Sequence, residues 1–312
     1  MKTASLKTEQ TKGILLLALG HPYYGNYAAT LAASIKFNYP KLPIALAYAG
    51  DALNIIKGDA RLKLFDHFID IPKECYQTNG VNTWIKAKNY MYDFSPFDST
   101  LFLDVDMIMF PRNEQSKANG LNVFFDEMEA KGIDFTISNR DFMEFTEPDE
   151  KLSKYSLWAN IAEVKTAYKF KDEKYYSCHS EFIYFTKCKK NDRFFSLVKE
   201  ITENLKVKHT VFGLGIPDEL PFAIAMAKLK HYPHQDGFVK IFWENTEHSK
   251  AFSNPSQMYK DWFGLSLGGN DNPKETVKLY NLLASFYGNK QGLKLMPHFK
   301  KKLHIQGREG RI

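Results

Sequence analysis

Residues 101–110 read Leu-Phe-Leu-Asp-Val-Asp-Met-Ile-Met-Phe, which puts two carboxylates, Asp104 and Asp106, inside an otherwise apolar run. A run this short and apolar predicts a buried strand of an α/β sheet, where an ionised aspartate needs a cation, strong hydrogen bonds or an ionic partner. Alternate residues of a strand face the same side, so the two carboxylates could address one divalent ion if the extended geometry persists. The carboxyl edge of a sheet is where open α/β folds place their ligands. The competing reading is a strand end with two solvated aspartates. Oxygen ligands of this kind suit Mg²⁺ or Mn²⁺ better than zinc. A third candidate ligand, His304, stands in His304-Ile305-Gln306-Gly307-Arg308-Glu309-Gly310-Arg311, which combines an imidazole, two glycines and two guanidinium groups. A nitrogen ligand would tilt the preference toward Mn²⁺. Gly307 would let the backbone approach a ligand closely, and Arg308 and Arg311 could bind phosphate in bidentate fashion. Alone, the same stretch reads as an ordinary basic tail.

The elements that must position these residues alternate in the manner of a parallel sheet. Strands are predicted over 13–19, 43–48, 68–71, 100–103, 133–138 and 182–186. Helices are predicted over 27–37, 82–92 (carrying Lys86 and Lys88), 121–131, 192–205, 218–229 and 275–287. Right-handed crossovers between such elements imply a doubly wound layer. Residues 139–176 have many charges and weak periodicity, the pattern of a lid or binding loop, and 264–273 reads as a turn region. The expected organisation is a polar arm over 1–12, a core over 13–245 and a C-terminal extension over 246–312.

Composition limits the alternatives. The chain has 312 residues, 44% hydrophobic and 25% charged, which is ordinary for a water-soluble globular protein. A net charge of +6 suits anionic small molecules and does not demand nucleic acid. Cys75, Cys178 and Cys188 are odd in number and lack ligand-like spacing, which excludes zinc ribbons and disulfide frameworks and points to a reducing, cytoplasmic compartment. The apolar block 13–20 is too short to span a bilayer and lacks a cleavage pattern, so it is read as a first strand. The basic, aromatic stretch 298–304 would support at most peripheral membrane contact.

Taken in order, a first strand with a Tyr-rich turn, a Lys-bearing helix, a strand ending in Asp-x-Asp and a late His-x-x-Gly with basic residues resemble the GT-A glycosyltransferases. The pattern is most similar to the glycogenin-like, retaining branch that includes lipopolysaccharide galactosyltransferases. The resemblance implies a Rossmann-like, mostly parallel central sheet flanked by helices, with a C-terminal extension of helix and loop. It implies that Asp104, Asp106 and His304 ligate Mn²⁺ (or Mg²⁺) bridging the diphosphate of a UDP-sugar. Gly307, Arg308 and Arg311 would then touch the diphosphate, although a Lys-Pro-Trp would be expected after the glycine. Lys88, sixteen residues before Asp104, has the spacing of the donor-binding basic residue, with Lys86 as its neighbouring alternative. Tyr23 or Tyr24 would stack on the base and Asn26 would hydrogen-bond it, with Asp51 a weaker candidate.

Two segments depart from the family pattern on the sugar side. His179 or Ser180 stands where an asparagine is expected, and Glu181 where a glycine is. In the expected Asp-Gln pair, Asp218 is followed by Glu219, a carboxylate able to support an oxocarbenium ion or act as nucleophile, or simply to complement a helix N-terminus. The expected function is metal-dependent transfer of a hexose from a UDP-sugar to a glycan, lipid or protein acceptor, with retention. The alternative is a catalytically weak or inactive GT-A protein that binds a nucleotide sugar or glycan. A phosphotransferase of the haloacid dehalogenase type fits less well, because Met107-Ile108-Met109-Phe110 continues apolar where that chemistry wants a small turn.

Overall fold

A computed structural model describes residues 11–54, 56–58, 60–109, 121–154, 158–211, 215–234 and 264–266. Strand β1 (Lys12–Gly20) leads into helix α1 (Pro22–Asn38), then β2 (Ile44–Gly50) and β3 (His67–Asp70). A small hairpin of β4 (Gln77–Thr78) and β5 (Val81–Asn82) precedes a short helix α2 (Met91–Phe94), β6 (Ser99–Leu103), β7 (Met107–Met109) and α3 (Leu121–Ala130). The second half comprises β8 (Phe135–Glu144), α4 (Asp149–Lys154), α5 (Ile161–Tyr168), β9 (Lys174–Thr186), α6 (Lys189–Glu203), α7 (Glu219–Leu229) and β10 (Gly264–Ser266).

Six strands form one sheet in the order β3-β2-β1-β6-β9-β8. Pairings among β3, β2, β1 and β6 are parallel, and β9 runs antiparallel to both β6 and β8. The run Ile14–Ala18 is buried throughout because helices cover both faces of the sheet. Alternation sends Ile14, Leu16 and Ala18 into one core with Leu31, Leu101, Leu103 and Phe124. Leu15 and Leu17 enter the other with Phe102, Phe185, Phe195 and Met226. The chain order turns back across β1, whose neighbours are β2 and β6, and it is at such a reversal, at the carboxyl ends of the strands, that open α/β sheets place their ligands.

Helix α1 starts earlier than the alanine-rich run suggests. Pro22 fits the first turn, and His21 Nδ1 accepts from Tyr23 N at 3.2 Å as the cap. Gly25 is required there, since a Cβ would lie 1.9 Å from the carbonyl oxygen of Ala52.

Three expectations are corrected. Residues 82–92 are not one helix: a 3₁₀ segment, Trp84–Tyr90, runs into α2. The segment buries Lys86, Ala87, Lys88 and Asn89 in succession, so it has no solvent face of the kind an amphipathic helix keeps. Residues 139–176 are not an irregular lid. The antiparallel arms of β8 and β9 extend through them, and the intervening chain forms α4 and α5. Asn160 caps α5 by accepting from Ala162 N and Glu163 N, and Lys169 closes it in the left-handed region at φ 58°. Gly264–Ser266 is not a turn: β10 pairs antiparallel with β7, just beyond the two aspartates. The expected helix 275–287 and the residues His304, Gly307, Arg308 and Arg311 lie outside the described residues, as do residues 1–10.

Cys75, Cys178 and Cys188 form no disulfide, and Cys75 and Cys178 are buried. Among the described residues, no helix is long and apolar enough to cross a membrane.

Candidate active site

Strand β6 stops at Leu103, and the two aspartates occupy the turn that follows it. Asp104 N still donates to Glu181 O at 2.9 Å, while Met107 N folds back onto Asp104 O at 3.3 Å. The carboxylates are therefore carried by a turn and not by strand alternation, close enough for the charge of Asp106 to act on Asp104. Asp104 is met by Lys88, whose Nζ donates to Oδ2 at 2.6 Å. The same ammonium lies 3.3 Å from Asp218 Oδ2 and 3.3 Å from Ser180 Oγ. Ser180 Oγ in turn donates to Asp218 Oδ2.

A bulge in β9 explains how three successive residues reach one site. Ile137 pairs with Ile183 and Ser138 with His179, so Ser180, Glu181 and Phe182 have no opposite number on β8. Such an insertion breaks strict alternation and re-aims side chains. His179 Nδ1 lies 3.6 Å from Glu181 Oε2 and 3.6 Å from Glu219 Oε1, and all three residues are buried. Glu219 is further fixed by Trp158, whose indole Nε1 donates to Oε2 at 2.5 Å. Both carboxylates of the Asp218-Glu219 pair stand at the start of α7, where the helix favours negative charge. Asp218 occupies the cap position yet makes no side-chain capping bond, its carboxylate being committed to Lys88 and Ser180. A good capping residue diverted in this way marks a site where function overrides local structure.

Electrostatics follow from burial and crowding. Burial pushes the Asp104 carboxyl up to about 7; Lys88 opposes this and the charge of Asp106 adds to it. For Glu181, burial together with the charges of Asp104 and Glu219 raises the pKa well above the carboxylate range. Burial acts to lower Lys88, but Asp104 and Asp218 more than offset it and hold the ammonium charged. Five carboxylates, Asp104, Asp106, Glu181, Asp218 and Glu219, are thus gathered with Lys88 as the fixed cation of the cluster. An all-oxygen pair in this cluster fits Mg²⁺ or Mn²⁺ at Asp104 and Asp106, the arrival of a cation favouring their ionised form.

The remaining predicted residues are placed as follows. Tyr23 and Tyr24 lie half-buried in the first turns of α1, packed against the core, with the Tyr23 ring 4.6 Å from that of His21. The side-chain oxygen of buried Asn26 accepts from Arg61 Nη1 at 2.7 Å, which directs it into the protein. Asp51 is exposed and accepts from Asn54 Nδ2 at 2.8 Å. Lys86 is committed elsewhere, to Gln77 O at 3.0 Å and Glu203 at 2.7 Å, which separates it from Lys88 in role. Trp158 has no counterpart in the sequence reading, because a lone tryptophan in a charged stretch gives no sign of the carboxylate it will meet.

No protein-family model and no curated protein matches the chain by sequence. Solved structures do match by shape. A galactosyltransferase, LgtC, in complex with donor and acceptor sugar analogues superposes at TM-score 0.51 with 13% identity, covering 91% of this chain and 95% of that one. The bifunctional glycosyltransferase WbbM, in its apo form, matches at TM-score 0.49 and 11% identity over 94% of this chain, which spans only 53% of WbbM. The glycosyltransferase GlyE of Streptococcus pneumoniae matches at TM-score 0.49 and 13% identity, over 94% of this chain and 64% of GlyE. With its mostly parallel sheet, its strand-order reversal at β1 and β6 and this likeness to LgtC, the chain has the GT-A glycosyltransferase fold.

Proposed function

We propose that the chain is a metal-dependent glycosyltransferase that moves a hexose from a UDP-sugar to a glycan, lipid or protein acceptor with retention of configuration. The observation that carries this reading is the buried union of Lys88, Asp104 and Asp218 at the reversal of the sheet. Asp104 and Asp106, with His304 from the C-terminal extension, would hold Mn²⁺ or Mg²⁺. When bound, the ion supplies the charge that neutralises a diphosphate leaving group. Lys88 keeps Asp104 and Asp218 oriented, and Gly307, Arg308 and Arg311 would close on the diphosphate. Asp218 or Glu219 would face the anomeric carbon, Glu219 being held by Trp158. Tyr23 or Tyr24 would stack on the uracil. Cysteines that form no disulfide favour a reducing, cytoplasmic setting.

Calorimetric titration of UDP with and without Mn²⁺ tests the donor site: binding should depend on the metal and weaken in Asp106→Asn. Metal-independent binding, or an Asp106→Asn variant that binds normally, would sink the reading. A second reading, a binding protein without transfer, is favoured by one observation, the buried side chains of His179 and Glu181 on the sugar side. Slow release of free hexose from a panel of UDP-hexoses separates the two, because only a competent transferase leaks sugar to water.

A further inference from the structure

Beyond the aspartate pair, His179, Glu181 and Glu219 form a second convergence of ligand atoms, each from a buried residue, all within 4.8 Å of one another. In a tetrahedral shell with metal–ligand distances of about 2.0–2.2 Å, neighbouring ligand atoms stand about 3.3–3.6 Å apart. His179 Nδ1 is already 3.6 Å from Glu181 Oε2 and 3.6 Å from Glu219 Oε1. These separations are too long for hydrogen bonds and match the edges of such a shell. A second observation points the same way. Glu181 Oε2 is fully enclosed and has no hydrogen-bond partner among the described residues, although it belongs to a side chain only 7% exposed. A buried polar oxygen left without a partner calls for a bound ion or water to complete it.

The supporting structure is that of a built ligand set. The bulge in β9 aims both His179 and Glu181 at the same point, and Trp158 holds the other oxygen of Glu219, leaving Oε1 turned to His179. Lys88 is spent on Asp104 and Asp218. We infer that His179, Glu181 and Glu219 bind a divalent transition-metal ion, of the zinc or manganese class, distinct from the one assigned to Asp104 and Asp106. Three protein ligands leave a fourth position for water or a substrate oxygen. The two sites share a wall at the Asp104–Glu181 backbone bond.

Cobalt(II) titration of the full-length, chelator-stripped protein tests this, with the aspartate site disabled by Asp106→Asn. The Asp106→Asn protein should take up one Co²⁺ per chain and develop the visible absorption bands of a four-coordinate ion. Adding His179→Gln, or separately the isosteric Glu181→Gln, should abolish those bands while far-ultraviolet circular dichroism stays native. Absence of the bands in Asp106→Asn, or their survival in a folded His179→Gln or Glu181→Gln protein, overturns the inference. If His179→Gln fails to fold, Glu181→Gln decides alone. The donor reading is reported separately by Mn²⁺-dependent UDP binding to the unmutated protein, so each can fail without the other.

Discussion

Lys88 balances the near end of the site, and its removal exposes what it restrains. With its side chain 11% exposed and its ammonium shared by Asp104 and Asp218, a Lys88→Met substitution leaves two carboxylates facing each other in a dry pocket. Breaking a buried ion pair from one side costs about 3–5 kcal/mol. Urea denaturation of Lys88→Met should register a loss of that size at neutral pH, whereas Lys86→Met, whose partner Glu203 is 43% exposed, should lose far less. Equal losses in the two variants would contradict this account. Part of the arrangement was legible in the residues: Asp104 and Asp106 stood out because charge inside an apolar run demands a reason. The burial of Lys88 was not legible, since a lysine on a predicted helix reads as solvated until its partners, Asp104 and Asp218, are known. Glu219 was visible as a departure, but its grip by Trp158 depends on a contact across 61 positions.

At the scale of elements, the junctions carry the information that periodicity lacks. The strands β1, β2 and β6 were readable because continuous apolar runs bounded by turn residues have few other uses. The bulge in β9 was not, since an insertion of extra residues leaves no period to detect. A second junction lies where α7 ends and α6 begins. His231, buried between the rings of Phe135 and Phe194, contacts Asn191 Oδ1 at 3.0 Å through Nε2. Asn191 Nδ2 donates to Asp134 O and Thr186 O, so its oxygen accepts and the imidazole is the Nε2–H tautomer. Burial, assisted by the charge of Lys190, depresses His231 to about 4 from 6.5. As pH falls through 6.5 the unfolded chain takes up this proton before the native one does, so stability declines until the native group also titrates near 4. The loss should be on the order of 3 kcal/mol across that window. Chemical denaturation at a series of pH values should show a shallower decline in His231→Gln. The contact of α1 with the turn after β2 gives another test. Gly25→Ala would drive a Cβ into the Ala52 carbonyl and should destabilise by about 1–3 kcal/mol, read as a lower thermal midpoint.

For the whole molecule, the proposed donor site draws on parts distant in sequence. The parallel half of the sheet supplies the turn with Asp104 and Asp106, β9 and α7 would supply the sugar side, and β10 lies against β7 immediately after the aspartates. That pairing brings Gly264–Ser266 beside Met107–Met109, and the proposed function adds His304 as the third ligand of the ion. His304→Ala should weaken Mn²⁺ about tenfold or more, a cost of about 1.4 kcal/mol, with little effect on the unfolding midpoint of the metal-free protein. Conversely, UDP with Mn²⁺ at about a hundred times its dissociation constant should stabilise the unmutated protein by about 2.7 kcal/mol in thermal unfolding. A His304→Ala protein that binds Mn²⁺ normally would leave the aspartates with some other third ligand.

The antiparallel course of β9 also bears on the order in which the chain assembles. β1 and β2 join neighbouring stretches of sequence, but β6 cannot acquire its second partner until β9 has returned between it and β8. Long-range closures of this kind are slow, because the entropy of the intervening chain is spent before any contact rewards it. Until that closure happens, Asp104 has no Glu181 carbonyl to bond and Ser180 has not met Lys88. The capacity to hold ligand therefore emerges late in refolding, in step with the sheet's middle and behind its first parallel pair.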